Sequence, residues 1–194
     1  IVSVNPMIEG QVMATTKGNA KGALVRGLRA EDLAKRKIVA DSLSKQAMAG
    51  FTGNDSVIIG HRLAQNLGVS AGDKLTLVSP NGNVTAFGTV PRMRAFTVVG
   101  TFDIGMFEYD SGFIFMPLPA AQAFFRMPGA VTNMEIFVDR ASDAPRAALY
   151  VSRQLQGRAI VHDWQRANSS FFNAIQVERN VMFLILTLII VVAA

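Results

Sequence analysis

This sequence of 194 residues contains two histidines. Histidine is the side chain that proteins use most often for proton transfer. His61 falls early in a predicted short helix, and His162 is followed directly by Asp163. An imidazole beside a carboxylate can act as an acid–base pair, but a surface or capping role is the better interpretation of both histidines. They are far apart in sequence and no cysteine is present, which argues against a zinc site and excludes disulfides.

Three carboxylates form the densest acidic group in the sequence. Asp103, Glu108 and Asp110 lie within eight residues and could pair for acid–base work or bind calcium. The segment lacks the regular Asp-x-Asp-x-Asp-Gly spacing of calcium loops. We therefore expect a solvated turn between two strands.

Motifs for nucleotide and ester chemistry are also missing from the sequence. It contains no phosphate-binding G-x-x-x-x-G-K-[ST] loop, no dinucleotide glycine spacing and no G-x-S-x-G nucleophile elbow. We predict no catalytic, cofactor or metal residues, and any nucleotide hydrolysis requires a separate subunit. The net charge of +5 is dispersed, with Lys35-Arg36-Lys37 as the densest cluster, so nucleic-acid binding is not expected.

The hydrophobic pattern predicts an α+β domain with a mixed sheet and short helices. A turn at residues 16–22 joins two alternating segments, which predicts a hairpin over residues 9–28. Gly68 falls where a left-handed cap would end a helix. Further strands are predicted at 57–59, 75–78, 95–102, 112–116, 133–138 and 159–162, and helices at 30–36, 60–68, 117–126, 144–155 and 164–180. Residues 131–162 would form a strand–helix–strand unit.

The last fourteen residues, 181–194, carry no charge, and Thr187 supplies their only hydroxyl group. A helix without a polar face must be enclosed by protein or lie in lipid. A complete crossing needs about 20 residues. Because the chain starts at Ile1 and stops within the apolar run, it has the character of an excised piece. The start of a transmembrane helix after a domain of residues 1–180 is favoured, with a buried helix as the alternative.

Prolines bracket an extended segment between two predicted strands, Pro80 to Pro91. Asn81-Gly82 is typical of a turn, but the segment is long for a simple hairpin turn. Its composition favours a crossover loop over the sheet. An exposed loop that presents its backbone edge to a partner is the alternative.

Three strings carry a family resemblance: Gly68 to Phe102 including the proline-bracketed loop, Asp163-Trp-Gln-Arg166, and Phe171 to Met182 with the apolar tail. Together they resemble the periplasmic domain and second membrane helix of the lipoprotein-releasing ABC transporter permeases, the LolC/LolE family, whose domain is of the MacB-like type. The resemblance covers about residues 50–194. It implies an α+β periplasmic domain with two subdomains and a protruding β-hairpin.

The resemblance also implies a function in the bacterial inner membrane. Such a permease pairs with a second permease copy or paralogue and a cytoplasmic ABC ATPase, releases lipoprotein cargo, and passes it to a periplasmic lipoprotein carrier. A hook at residues 80–91 and a patch after it would dock the carrier. A helix running without interruption from Trp164 into the tail would transmit motion to the domain. The implied docking residues are Pro80, Val84, Ala86, Phe87, Gly88, Val90, Pro91, Met93 and Arg94.

Two residues depart from the family pattern, and two other functions remain as alternatives. Ala86 stands where a proline is expected, and Thr76 where a basic residue is expected. They leave open whether the chain is a carrier-binding subunit or serves both roles in a homodimer. The first alternative is a related mechanotransmitting permease of the exporter or cell-division type, which should lack the hook. The second is a soluble enzyme whose last helix is buried.

Overall fold

The computed structural model describes residues 1–85 and 88–193, which contain seven strands and nine α-helices. In chain order the elements are β1 (Ser3–Thr15), β2 (Ala20–Leu28), α1 (Ala30–Lys35), α2 (Lys37–Ala40), α3 (Lys45–Gly50), β3 (Ser56–Gly60), α4 (His61–Leu67), β4 (Lys74–Thr85), β5 (Gly88–Phe102), α5 (Phe107–Gly112), β6 (Phe113–Pro117), α6 (Leu118–Phe125), β7 (Asn133–Phe137), α7 (Ala144–Leu155), α8 (Trp164–Ala167) and α9 (Ser169–Ala193). The α+β class predicted from the sequence is confirmed.

The chain folds into two compact units. The larger unit is Val4–Glu135, and the smaller unit combines Ile1–Ser3 with Ile136–Ala194. The chain therefore passes between the units twice, once within β1 and once within β7.

The sheet of the larger unit is held together by strand pairings that close on themselves. The strand order is β2-β6-β3-β5-β4-β1-β7, and β1 also pairs with β2. Six strands thus form a ring in which each has two neighbours. The pairs β2–β6 and β3–β5 are parallel, and the other pairs of the ring are antiparallel. A closed ring satisfies backbone groups that an open sheet would leave at its edges.

Alternation along the strands builds two cores. Phe96 and Val98 of β5 lie in one core with Leu75 and Leu77 of β4, and helices α4 and α6 complete it. Ile58 points the other way and lies in a second core, which also contains Leu28, Leu33, Val39, Phe51, Phe102 and Phe115. Successive side chains of a strand point to opposite faces, so β3 contributes to both cores.

Several predictions made from local sequence are confirmed. The hairpin β1–β2 pairs Ile8 with Gly27 and Thr15 with Ala20 in antiparallel register. Gly68 ends α4 in the left-handed region at φ 67°. The Val69 N–H donates to the Ala64 carbonyl at 3.0 Å, which closes the helix end.

Two predictions near the end of the chain are wrong. Residues 159–162 do not form a strand, and Ile160 is 85% exposed. After α7 the chain turns through Gln156 at φ 49° and Gly157 at φ 81°, and the short apolar run that follows pairs with no strand in the described part of the chain.

The helix expected to run without interruption from Trp164 is broken. Asp163 caps α8 by accepting from the Arg166 N–H at 2.9 Å. Asn168 ends α8 with φ −109° and ψ 25°, which is outside the helical region, and its side chain donates to the Trp164 carbonyl at 2.8 Å. Helix α9 starts at Ser169.

Helix α9 contains a stretch that is long and apolar enough to cross a membrane. This stretch is Asn173–Val192, with a mean hydropathy of 2.0 and none of its window buried. Large apolar side chains on every side of it are exposed, among them the successive residues Phe183, Leu184 and Ile185. A helix buried within its own domain, the alternative from the sequence, is therefore not what the structure contains.

We predict that Phe96→Ala lowers the free energy of unfolding by about 3–5 kcal/mol, because a large buried side chain leaves a cavity. Phe96 is fully buried and meets Phe124 edge to face, with ring centroids 5.4 Å apart. Urea denaturation followed by circular dichroism measures the change. Met93→Ala, on the same strand but 64% exposed, is the control and should change stability by less than about 0.5 kcal/mol. Equal losses for both variants would contradict the assigned core.

Candidate functional site

The two histidines lie in separate environments. His61 is the first residue of α4, and its Nε2 lies 3.0 Å from Gln65 Nε2. It lines a cavity of about 350 Å³ in which it is the one titratable side chain among the described lining residues. His162 is exposed in the irregular segment before α8. Within the described residues, no group of three potential metal ligands occurs.

The acidic cluster has a structural role, and the expected solvated turn is wrong for one of its members. Asp110 is 1% exposed, and its Oδ1 accepts from the Ile104 N–H at 3.0 Å. Asp103 accepts from the Gly105 N–H at 3.1 Å. These bonds fold the loop between β5 and α5 onto the helix. The sequence analysis did not predict the short helix α5, and this helix contains the buried Asp110.

The proline-bracketed segment is the distal part of the β4–β5 hairpin. The strands pair from Lys74↔Thr97 to Thr85↔Gly88, so the crossover loop favoured by composition is wrong. β1 pairs with β4 only through Thr76–Val78, and β3 pairs with β5 only from Thr97 onward. Among the described residues, the hairpin beyond Ser79 therefore has strand pairing only within itself.

A bulge separates this distal hairpin from the ring. Ser79 pairs with Arg92 and Asn83 pairs with Val90, so three residues of β4, beginning at Pro80, lie opposite Pro91 alone. Proline lacks an N–H, and strands accept it at bulges and edges. The two prolines thus coincide with the interruption of the ladder. A bulge bends its strand and increases the local twist, which changes the direction of the hairpin.

Gly82 allows the two strands to approach at the bulge. A Cβ on Gly82 would meet the carbonyl of Val90 and would lie 2.9 Å from Pro91 Cα. Asn81-Gly82, although typical of a turn in sequence, therefore lies within β4. Gly82 is needed for a close backbone approach, and the last described pair, Thr85↔Gly88, lies beyond it.

The base of the hairpin has one anchored face and one exposed face. The Arg92 guanidinium donates to the Phe124 carbonyl. Arg94 bonds to Asp55 Oδ1 at 2.6 Å and lies over the Phe96 ring at 5.4 Å. Met93 points to the other face, where it is 64% exposed.

A row of apolar side chains crosses three strands on that exposed face. Met93 lies opposite Val78, and Val78 lies opposite Met13 of β1. Met13 is 46% exposed. Val90, three residues before Met93 on β5, is also exposed but points to the opposite face. Methionine side chains adapt their shape to varied apolar partners. Sequence reasoning missed Met13 because only strand register brings it beside Met93.

The sequence model of one protein family, described as the MacB-like periplasmic core domain, matches residues 1–153. The chain belongs to this family. It is 32% identical over 200 residues to a lipoprotein-releasing system transmembrane protein LolC of Neisseria meningitidis serogroup B, covering 100% of this chain and 47% of that protein. It is 29% identical over 195 residues to a LolC of Xylella fastidiosa, with the same two coverages. The chain spans about half the length of these relatives.

Among solved structures, the periplasmic region of MacB from Actinobacillus actinomycetemcomitans aligns with a TM-score of 0.49 and 12% sequence identity, covering 89% of this chain and 77% of that chain. The resemblance to the LolC/LolE family, drawn from residues 50–194, is confirmed by relatives that match the full chain.

The structure of this MacB-like periplasmic core domain brings together several of the residues expected to dock a carrier. Pro80 and Pro91 meet at the bulge, and the backbones of Val84 and Gly88 belong to the distal pairs. Val90 and Met93 are exposed, whereas Arg94 is half-buried and already paired. Ala86 and Phe87 lie outside the described residues. The docking role of the whole set remains a prediction.

We predict that Gly82→Val displaces the bulge, because the added side chain meets the backbone of Val90 and Pro91. Hydrogen exchange of the β4 and β5 amides beside the bulge should accelerate by about tenfold or more, the range expected when ladder hydrogen bonds are lost. Gly22→Val is the matched control, because a Cβ there has open space. Unchanged exchange in Gly82→Val would refute the close approach.

Proposed function

We propose that this chain is the periplasmic domain and adjoining membrane helix of a permease subunit in an ABC transporter. The transporter releases lipoproteins from the inner membrane and passes them to a periplasmic carrier. The distal β4–β5 hairpin is the element that docks the carrier. The observation that carries this proposal is the β4–β5 hairpin, which continues past a proline-bracketed bulge. The chain that contains it is similar along its full length to a lipoprotein-releasing transmembrane protein.

The arrangement of the bulge supports a docking role. Binding costs less free energy when the binding element is already ordered, and the two prolines and the close approach at Gly82 restrict the hairpin. Beyond Ser79, both strands have one edge that no other described strand pairs with. Such an edge can add a strand or loop of a partner through backbone hydrogen bonds.

The exposed row beside the hairpin supplies a complementary apolar contact. Met93 and Met13 present flexible side chains on one face, whereas the guanidinium of Arg94 lies on the opposite face and is paired with Asp55. Flexible apolar side chains adapt to an apolar partner surface and contribute to affinity. A carrier with an apolar surface fits this chemistry.

The membrane stretch supports the transport role. Asn173–Val192 is long enough for the hydrocarbon core of a bilayer. In a transporter of this class, ATP hydrolysis is the work of a cytoplasmic ATPase, and this sequence contains no phosphate-binding loop of its own. Movement of α9 would reach α8 and the rest of the smaller unit through the joint at Asn168, since α8 and α9 are separate helices.

The second permease is a further copy of the chain or a paralogue. The exporter or cell-division role that the sequence left open is less favoured, because the relatives that match the full chain are named as lipoprotein-releasing proteins.

We predict that removing residues 83–90 from the full-length permease abolishes capture of a purified lipoprotein carrier. Met93→Ala should weaken capture by about fivefold or more, the loss typical of a central interface residue. Met106→Ala is the matched control, because Met106 is 50% exposed in the same unit but lies outside the hairpin. Biolayer interferometry measures the dissociation constants. Undiminished capture by the shortened hairpin would reject the docking role.

We predict that a chain ending at Asn168 stays folded and leaves the membrane fraction. The described part of α9 buries none of its apolar window, so its removal should not open a core. Fractionation after alkaline washing tests the location, and circular dichroism tests the fold. The intact 194-residue chain is the control and should sediment with membranes. Collapse of the shortened chain would mean that α9 is part of a protein core.

A further inference from the structure

Two strands carry the chain between its compact units. The larger unit begins at Val4 within β1 and ends at Glu135 within β7. Polar side chains on or directly beside α1 contact both strands within one residue of these boundaries. Neither the hairpin nor the apolar row involves these contacts.

The first contact holds β1. Asn5 is 4% exposed and Asp32 is fully buried. With its amide in the orientation that satisfies its neighbours, Asn5 Nδ2 donates to Asp32 Oδ1 at 3.3 Å and to the Val4 carbonyl at 3.3 Å. Asp32 also accepts from Arg29 Nε at 2.7 Å and lies 3.7 Å from Lys35 Nζ. The hydrogen bond to Asp32 raises the pKa of Arg29 above its ordinary value.

The second contact holds β7. Arg36, the residue after α1, donates to Glu135 through its guanidinium. The side chains of this pair are 17% and 27% exposed, so water screens them less than a surface pair. Glu135 is the last residue of the larger unit.

Helix α1 is itself fixed to the body of the larger unit. Leu33, which follows Asp32, is fully buried in the core formed with Phe51, Phe102 and Phe115. Val39 of α2 lies in the same core. The polar residues therefore stand on a rigid support, which is what a positioning element requires.

We propose that Asn5, Asp32, Arg36 and Glu135 form a polar clamp that fixes both connecting strands to the core of the larger unit. The four side chains are positioning residues. They make β1 and β7, through which the chain enters and leaves the larger unit, move together with the ring of strands. A displacement of either strand is then passed to the larger unit, which carries the β4–β5 hairpin. The role of the clamp in transport rests on the proposed function. The attachment of β1 and β7 to the core of the larger unit does not.

Hydrogen exchange on the full-length permease tests the clamp directly. The reporting amides are Val2, which donates to the Phe137 carbonyl at 2.8 Å, and Thr132, which donates to the Met7 carbonyl at 3.1 Å. In Glu135→Gln and in Asp32→Asn, exchange in peptides covering residues 1–7 and 132–138 should rise by about tenfold or more, as expected when a charge-assisted hydrogen bond is lost. Peptides from α4 and β6 should be unchanged.

The chain offers a closely matched control. Glu9 pairs with Arg26 at 3.0 Å, is 28% exposed and also lies on β1, but it bonds to β2 rather than to α1. Glu9→Gln should leave exchange at the connecting strands as in the unmodified protein. The exchanged pair Arg36→Glu with Glu135→Arg should restore protection relative to Glu135→Arg alone. Unchanged exchange in Glu135→Gln, or equal acceleration in Glu9→Gln, would overturn the clamp.

A transport assay separates the clamp from the proposed function. In the permease reconstituted with its ATPase, Glu135→Gln should reduce ATP-driven release of a lipoprotein to the carrier by about fivefold or more, the lower end of typical coupling. ATP hydrolysis and carrier capture should be retained. Full release by a variant with accelerated exchange would overturn the coupling role. Absence of release in the unmodified permease would count against the proposed function, while the exchange result would still decide the clamp.

Discussion

The whole architecture depends on β1 bonding to two strands of the ring at once. Val12 to Thr15 pair with β2 on one side, and Met13 to Thr15 pair with β4 on the other. This double pairing closes the ring and leaves its strands without a free edge over that stretch. The β4–β5 hairpin runs beyond the ring, and its strands there pair only with each other among the described residues.

The bulge determines what the hairpin can do once it leaves the ring. Pro80 and Pro91 lie at the point where the ladder is interrupted, and neither has an N–H to give to it. Three residues opposite one break the register, and Gly82 lets the strands remain close despite the break. The anchoring of Arg92 and Arg94 just below the bulge fixes the base. A rigid base and a redirected arm together give a binding element whose position is set by the ring.

Local sequence signals predicted those features whose causes are local. The β1–β2 hairpin, the Gly68 cap and the register of Leu75 and Leu77 all follow from neighbouring residues, and with them the α+β class. The wrong predictions depend on distant partners. Ile160 and Val161 have strand propensity, but within residues 1–85 and 88–193 they pair with no strand. Gly82 is needed because the Val90 backbone approaches it across the hairpin. Met13 enters the candidate site only through register. The family resemblance identified the hairpin where composition favoured a crossover loop.

Strand β1 connects the clamp to the base of the hairpin. Asn5 lies at one end of it and Met13, opposite Val78 of β4, lies toward the other. The eight residue steps from Asn5 to Met13 span about 26 Å in extended conformation. From Ile8 to Thr15 this strand is bonded to β2. A strand held in this way resists bending, so we expect a displacement at Asn5 to reach the strand that carries the bulge. The small apolar contact at Val78 is therefore part of the same mechanical element as the buried Asp32.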